Sequence, residues 1–308
     1  MLEIGIQSAH WYKSTDPTGS FRFIKECGFE AVDFNMDQYI NVKKAAAEGI
    51  YPTIFDGDTA EMLEFFKPLK EASEETGVII SQMHAPFPVW FNDNPQLNEH
   101  MRMVLDKCFA ICEYIGCPAI VVHPVLGEDH DSEIAANMAL YRSLIPLIKK
   151  YTGVKICLEN LFQTVAKRVI NGRFSIPSEL CAAIDTLNAE AGGDFFGCCL
   201  DVGHANLTKA SLKDFVKQLA HRLTILHIHD NNGEYDQHTI PYACLSVGST
   251  PTCDWDGFVD GLKDIGYTGV LSFETFRIYH VLPASVIPEA LRLISAIGRE
   301  WVSRLKAE

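Results

Sequence analysis

The sequence lacks the features that mark several other classes of protein. None of its ten cysteines forms a C-x-x-C pair, and several of them lie inside apolar runs, so neither a disulfide framework nor a thiolate metal site is indicated. No apolar run approaches the length of a membrane span, and no cationic segment precedes the first apolar run as it would in a secretory signal. We therefore expect a reduced, cytoplasmic protein that has no membrane partner.

Positive charge is also scarce. The chain has 26 lysines and arginines against 40 aspartates and glutamates, which gives a net charge of −14. A protein that binds a nucleic-acid backbone needs a basic surface, so we expect no nucleic-acid partner. The same negative charge is equally consistent with a simple role in solubility.

Apolar runs and segments with a helical period alternate about eight times along the 308 residues. The predicted strands are rich in valine, isoleucine and leucine, as is typical of parallel strands buried on both faces; they are Leu2–Ser8, Glu30–Phe34, Val78–Met83, Ala119–Val122, Val154–Leu158, Phe195–Leu200, Leu223–Leu226 and Val270–Phe273. Eight strand–helix units predict one α/β domain over residues 1–308, a (β/α)8 TIM barrel. An open doubly wound sheet is the alternative, but Ser8–Trp11 is not the glycine-rich turn that it should carry.

Residue types that bind metals stand at the ends of six consecutive predicted strands: His84, His123, Glu159, Asp201, His227 and Glu274. In a barrel the carboxyl ends of all strands open onto one face, where the active site lies. Any one of these residues could simply cap a strand or be a hydrogen-bonded loop histidine, but six in succession predict a shared site. Carboxylates combined with imidazole are a mixed oxygen and nitrogen ligand set that suits Mn²⁺, Mg²⁺, Co²⁺ or Zn²⁺.

Five short motifs resemble the xylose-isomerase-like barrel superfamily, which includes sugar phosphate isomerases and epimerases, ketose 3-epimerases, inosose dehydratases and endonuclease IV. The motifs are His84-Ala85-Pro86, Leu158-Glu159-Asn160, Asp201-Val202-Gly203-His204, His227-Ile228-His229-Asp230 and Phe273-Glu274-Thr275. The resemblance implies that a divalent ion, with Mn²⁺ the favoured one, is held by Glu159, Asp201, His227 and Glu274. His227 is preferred over His229 because the family's ligand lies three residues before an acidic residue, here Asp230.

The resemblance also implies isomerisation or epimerisation of a sugar or sugar phosphate next to a carbonyl group. The metal would stabilise the enediolate formed on proton loss, with Glu159 and Glu274 as acid and base. We expect a small-molecule carbohydrate substrate and, by analogy with relatives, a homodimer or homotetramer. Substrate-binding roles are expected for His84, His123, His204, His229, Trp11, Trp90, Asp236 and His238.

Other activities remain open. The same proton abstraction could drive β-elimination from a keto-sugar or inosose, as in the dehydratase relatives. Endonuclease IV has further metal ligands, and these match His84, His123, His204, Asp236 and His238, so a zinc phosphodiesterase is a second alternative. The acidic composition argues against it. A degenerate barrel that serves only as a binding subunit should lack a ligand, whereas all four are present.

Two positions depart from the ketose 3-epimerases. Their glutamate six residues after the first metal-binding glutamate is Val165 here, and their arginine six residues after the metal-binding histidine is Gly233. A phosphate group would need cationic side chains or free backbone N–H groups. The cationic candidates are Arg277, Arg173 and Lys167, so the sequence leaves open whether the sugar is phosphorylated.

Overall fold

The computed structural model describes residues 2–91, 93–127, 129–245 and 250–307. The strands in these ranges are β1 (Ile4–Gln7), β2 (Ala31–Asn35), β3 (Ile79–His84), β4 (Ala119–Val121), β5 (Lys155–Glu159), β6 (Phe162–Val165), β7 (Arg168–Asn171), β8 (Phe196–Asp201), β9 (Leu223–His227) and β10 (Leu271–Phe273). Eight of these described strands pair in parallel in the order β10-β1-β2-β3-β4-β5-β8-β9, which confirms the predicted single (β/α)8 barrel.

The barrel closes between the end of β9 and β10. The backbone N–H of Ile228 donates to the carbonyl of Ser272 at 2.9 Å, and the N–H of Glu274 donates to the carbonyl of Ile228 at 2.9 Å. This pairing continues the parallel register past the last residue of β9. It therefore places the segment that follows His227 directly beside Glu274.

Helices cover the outside of the barrel: α1 (Pro17–Glu26), α2 (Val42–Glu48), α3 (Thr59–Thr76), α4 (Pro95–Ile115), α5 (His130–Ile148), α6 (Pro177–Ala191), α7 (Val202–Leu207), α8 (Leu212–Leu219), α9 (Trp255–Asp264), α10 (Ile278–Val281) and α11 (Ile287–Lys306). Side-chain caps define several starts; Asp16 accepts from the N–H of Gly19 and Asp58 from that of Ala60. Helices α2, α7 and α10 are too short for hydrophobic periodicity to predict them. Within the described ranges, no helix is both long and apolar enough to cross a bilayer.

The hairpin of β6 and β7 has no counterpart in the sequence prediction. Its strands pair antiparallel, and the two residues between them, Ala166 and Lys167, have positive φ angles of 49° and 65°. Such a turn is usually signalled by Asn-Gly or Asp-Gly, because few other residues adopt this backbone conformation without strain. Ala-Lys carries no such signal, so the pattern of turn residues could not reveal the hairpin.

Buried thiols occupy the inside of the barrel without forming a metal site. A cluster of small buried side chains comes from β4, β5, β8 and β9, namely Ala119, Val121, Cys157, Cys199 and Ile225. All ten cysteines are free. Burial raises the pKa of the Cys157 thiol to about 12, so this thiol stays protonated. The thiolate is the form that binds metals, so burial disfavours metal binding by this thiol.

Candidate active site

A cavity of about 660 Å³ opens at the carboxyl ends of the barrel strands. Seven of the residues singled out from the sequence line it: His84, His123, Glu159, His204, Asp236, His238 and Glu274. Asp201, His227 and His229 have no exposed surface and lie among these lining residues, behind the cavity wall. The strand-end side chains therefore meet at one mouth of the barrel, as its parallel topology requires.

The four side chains expected to hold the metal lie close together. The Nδ1 atom of His227 is 3.6 Å from Oε1 of Glu159 and 3.6 Å from Oε2 of Glu274. Ligand atoms of Glu159, Asp201 and His227 all lie within 4.8 Å of one another, and so do those of Asp201, His229 and Glu274. Two carboxylates thus face one imidazole nitrogen, and that of Asp201 lies close by, an arrangement that a divalent cation can bridge.

The environment of His227 fits a metal ligand. Both of its ring nitrogens are buried and have no hydrogen-bond partner among the described residues, and two carboxylates face Nδ1. Its other ring nitrogen, Nε2, is 3.3 Å from Oδ2 of Asp33. A carboxylate behind the far nitrogen of a histidine is the usual way in which proteins orient a metal-binding imidazole. The donor set therefore fits a divalent cation at Nδ1.

Asp33 is a site residue that the sequence analysis missed. It is fully buried in β2, and Oδ1 lies 2.9 Å from Nδ1 of His84. Burial alone would raise the pKa of this carboxyl group, but His84 and His227 lower it well below the usual value. The available signal was an aspartate in the middle of an apolar strand, because a buried charge needs a partner. The sequence analysis also missed Gln7 on β1. Its Nε2 atom donates to Oε1 of Glu274 at 2.5 Å.

Glu159 is held ionised by three histidines. Burial acts to raise its pKa, but the imidazole of His123, with Nε2 at 2.9 Å from Oε2, and those of His204 and His227 lower it well below the usual value. Asp201 follows the same logic: burial opposes ionisation, whereas His204 and His229 lower its pKa. Ionised carboxylates in this position are suited to hold a cation or to accept a proton.

His229 contacts Asp201 and not the cavity. Its Nε2 atom is 3.1 Å from Oδ1 of Asp201, and burial, which lowers its pKa, is outweighed by this carboxylate, which raises the pKa to about 9. The ring lies against Gly203 so closely that a Cβ atom there would be 2.0 Å from Cε1. His229 therefore lies behind the cavity wall, and its expected substrate-binding role stays a prediction. The unpartnered Nδ1 of His227 favours His227 as the metal ligand of the two.

A second group of ligand types lies beside the first. His204, His229, Asp236 and His238 place one ligand atom each within 4.8 Å of one another. Asp236 is central, with Oδ2 at 3.1 Å from Nε2 of His238 and 3.5 Å from Nε2 of His204. Three of these residues are those that match endonuclease IV, so the structure brings that set together as well. By geometry alone this group could hold a second cation.

The aromatic walls of the cavity differ from those expected. Trp11 is buried in the core and donates from Nε1 to the carbonyl of Gln7 at 2.6 Å, and it is not among the residues that line the cavity, so its expected role stays a prediction that this cavity does not support. Trp90 lines a smaller neighbouring pocket instead. The aromatic residues that do line the cavity within the described ranges are Phe87, Phe162 and Phe276. Phe162 belongs to the hairpin, and which rings face inward depends on loop paths that the sequence pattern does not reveal.

A parallel eight-stranded barrel whose C-terminal mouth gathers carboxylates and imidazoles belongs to the (β/α)8 class, whose active sites lie at that mouth. The model of the family described as "Xylose isomerase-like TIM barrel" matches residues 21–297. The chain belongs to this family. The resemblance seen in the strand-end motifs is thereby confirmed.

Individual relatives are more distant. The protein MJ1311 of Methanocaldococcus jannaschii is 30% identical over 227 residues, which cover 69% of this chain and 70% of that protein. The alignments with the curated relatives span 57% to 70% of those proteins' own length. A solved D-tagatose 3-epimerase-like protein matches 99% of this chain and 98% of its own with a TM-score of 0.68 and 21% identity. The 3-keto-D-glucoside 4-epimerase YcjR of E. coli matches 96% of this chain and 100% of its own with a TM-score of 0.66 and 17% identity. At these identities the structural likeness establishes the fold.

Proposed function

We propose that this protein is a divalent-metal-dependent isomerase or epimerase of a sugar or sugar phosphate. One observation carries the proposal: carboxylate oxygens of Glu159 and Glu274 each lie 3.6 Å from the same buried nitrogen, Nδ1 of His227, and both glutamates line the cavity. Neighbours in fold are described as a D-tagatose 3-epimerase-like protein and a 3-keto-D-glucoside 4-epimerase, which supports a sugar as the substrate class.

The ion would be held by Glu159, Asp201, His227 and Glu274. Its fit rests on the unpartnered Nδ1 of His227 and on the lowered pKa values of Glu159 and Asp201, which hold both carboxylates ionised. When bound, a divalent cation would polarise a carbonyl group and the hydroxyl group on the neighbouring carbon. The hydrogen on that neighbouring carbon would then become more acidic. Manganese is our preferred ion because the ligand set combines hard oxygen donors with one imidazole.

The two glutamates would carry the proton. Each is oriented by a second contact: Oε2 of Glu159 lies 2.9 Å from Nε2 of His123, and Oε1 of Glu274 accepts from Gln7 at 2.5 Å. One glutamate would take the proton from the carbon next to the carbonyl group, and the other would return it. Return to the same carbon on the other face gives an epimer, whereas return to the neighbouring carbon gives an aldose or ketose isomer.

Metal analysis followed by deuterium exchange tests this proposal. Metal-loaded protein is incubated in D₂O with a panel of keto-sugars, sugar phosphates and keto-inositol, and NMR follows the entry of deuterium at each C–H position. We expect exchange next to a carbonyl group while the carbon skeleton and its hydroxyl groups are conserved. Release of water or of an aglycone would identify a lyase instead. No exchange with any member of the panel would contradict the proposal.

A zinc phosphodiesterase is the second candidate, and the group His204, His229, Asp236 and His238 is the observation that favours it. The net charge of −14 weighs against a DNA backbone as its substrate. Elemental analysis separates the two functions. We expect about one tightly bound divalent ion per chain for the sugar enzyme, whereas three zinc ions per chain would favour the phosphodiesterase.

A further inference from the structure

The cavity contains one permanent cation. Among the described residues that line it, Arg173 is the sole arginine or lysine. The other two cationic candidates from the sequence lie elsewhere: Lys167 is exposed at the tip of the β6–β7 hairpin, and Arg277 is exposed at the start of α10. Arg173 therefore differs from both in being placed where a substrate would lie.

The backbone holds Arg173 firmly at the base of the hairpin. The N–H of Leu161 donates to the carbonyl of Arg173 at 2.8 Å. The preceding residue is Gly172, where a Cβ atom would lie 2.5 Å from the backbone carbon of Phe162, so glycine is required for the two chain segments to approach. The following residue, Phe174, is fully buried. The backbone on both sides of Arg173 is therefore held in place, which fixes where its side chain starts.

The guanidinium group is short of partners. Its Nε atom is buried and has no hydrogen-bond partner in the described part of the chain, and the nearby carboxylates of Glu133 and Glu159 act on its charge without forming a hydrogen bond to it. Phe87 and Leu126, which line the cavity with it, also line the neighbouring pocket with it, so part of its surroundings is apolar. A buried N–H group without an acceptor is costly unless a ligand supplies one.

We infer that Arg173 binds an anionic oxygen group, a phosphate or a carboxylate, on the sugar that this cavity accepts. The planar fork of a guanidinium group matches two oxygens of either anion. The remaining charged groups of the cavity are carboxylates and imidazoles, and Asp236, Glu159 and Glu274 would repel an anion placed next to them. The inference rests on the proposed sugar-converting function and restricts its substrates to acidic sugars.

The test compares charged and neutral sugars in the same exchange assay. The holoenzyme is assayed by deuterium entry with D-fructose, D-fructose 6-phosphate and 5-keto-D-gluconate, as wild type, Arg173→Gln and Arg173→Lys. Arg168→Gln is the matched control, because Arg168 is exposed on β7 outside the cavity. Calorimetric titration with inorganic phosphate supplies a readout that does not depend on turnover, and thermal unfolding shows that each variant is folded.

We expect kcat/KM of wild type to be higher for a charged sugar than for fructose. Arg173→Gln should lower kcat/KM for the charged sugar about 10- to 100-fold, as expected for loss of hydrogen bonds to a charged group. The loss with fructose should be much smaller, and Arg173→Lys should restore part of the loss with the charged sugar. Preference for the 6-phosphate or for the ketogluconate tells phosphate from carboxylate.

Two results separate this inference from the proposed function. Exchange with fructose as fast as with both charged sugars, unaffected by Arg173→Gln, would overturn the inference and leave the sugar-converting function standing. No exchange with any sugar would contradict the function. If no sugar exchanges, phosphate binding decides the inference. Wild type should bind phosphate, and Arg173→Gln should bind it more weakly. Equal binding by both proteins, or binding by neither, would overturn the inference.

Discussion

Two carboxylates of the candidate metal centre, those of Glu159 and Asp201, stay ionised although they are buried. Glu159 and Asp201 are almost completely removed from water, and neighbouring imidazoles replace the stabilisation that water would give. An amide at such a position keeps the shape of the side chain and removes the charge. Carboxylate-to-amide substitutions are therefore the sharpest residue-level probes of the site.

The first prediction concerns the two proposed acid–base residues. Glu159→Gln and Glu274→Gln should each lower the rate of deuterium exchange by at least about 100-fold, because an amide cannot accept the proton. Part of the metal binding should survive, since the remaining ligands are unchanged. Glu61→Gln, at an exposed position on α3, is the control and should retain the wild-type rate. Retained activity in both cavity variants would exclude the two-base mechanism.

The second prediction concerns Asp33, which we regard as a positioning residue. Asp33→Asn removes the charge that faces Nε2 of His227, so the affinity for Mn²⁺ should fall about 10- to 100-fold, the usual effect of losing a carboxylate behind a metal-binding histidine. Calorimetric titration with MnCl₂ measures this change. Asp131→Asn, at an exposed position on α5, should bind the ion as wild type does. Unchanged affinity in Asp33→Asn would refute the positioning role.

At the level of elements, the junction between β8 and α7 is central. Strand β8 ends at Asp201 and α7 starts at the next residue, so no loop separates them. Oδ1 of Asp201 accepts from the N–H of His204 at 2.6 Å and thus caps the helix, while Asn160 at the end of β5 bonds to the backbone of Asp201 in both directions. The Asp201 side chain therefore both caps α7 and faces the candidate site. The start of α7 and the position of this carboxylate cannot shift independently.

The third prediction tests this junction through Gly203. Gly203→Ala would place a Cβ atom 2.0 Å from the His229 ring, so the ring or the start of α7 must move. We expect weaker Mn²⁺ binding and a lower midpoint of thermal unfolding. Gly57→Ala is the matched control, because the nearest atom to a Cβ there is 3.6 Å away, and it should change neither quantity. Wild-type binding by Gly203→Ala would show that the close packing of His229 is not required.

At the scale of the whole molecule, the proposed ligands come from β5, β8, β9 and the segment after β10, so a bound ion would cross-link distant parts of the barrel. A ligand that binds only the folded state stabilises it by mass action. Mn²⁺ at 100 times its dissociation constant should add about 2.7 kcal/mol to the free energy of unfolding. The same link predicts that a chelator lowers the stability of protein that carries the ion.

Thermal unfolding measures this fourth prediction. The midpoint should rise with MnCl₂ in wild type and return to its starting value after EDTA. Asp201→Asn should show a much smaller rise, since one ligand has lost its charge. A midpoint that is insensitive to Mn²⁺, Mg²⁺, Co²⁺ and Zn²⁺ alike would contradict a metal centre built from the four barrel-end ligands.

The barrel and the gathering of the strand-end residues could be predicted because both follow from local patterns. Apolar runs of strand length are visible residue by residue, and the residue that ends each run is read directly from the chain. One topological rule, that parallel strands of a barrel open onto one face, then brings Glu159, Asp201, His227 and Glu274 together. The hairpin escaped prediction because Ala166 and Lys167 give no turn signal.

Contacts between distant segments depended on the packed molecule. Asp33 and Gln7 become site residues because neighbouring strands carry them to His227 and Glu274, and Trp11 turns into the core although it follows a strand end. The chain's order specified which residues stand at the mouth of the barrel, since that is a property of each strand alone. The distances between these residues, their burial and the presence of Arg173 in the same cavity were set by packing. All three depend on how separate strands and loops lie against one another.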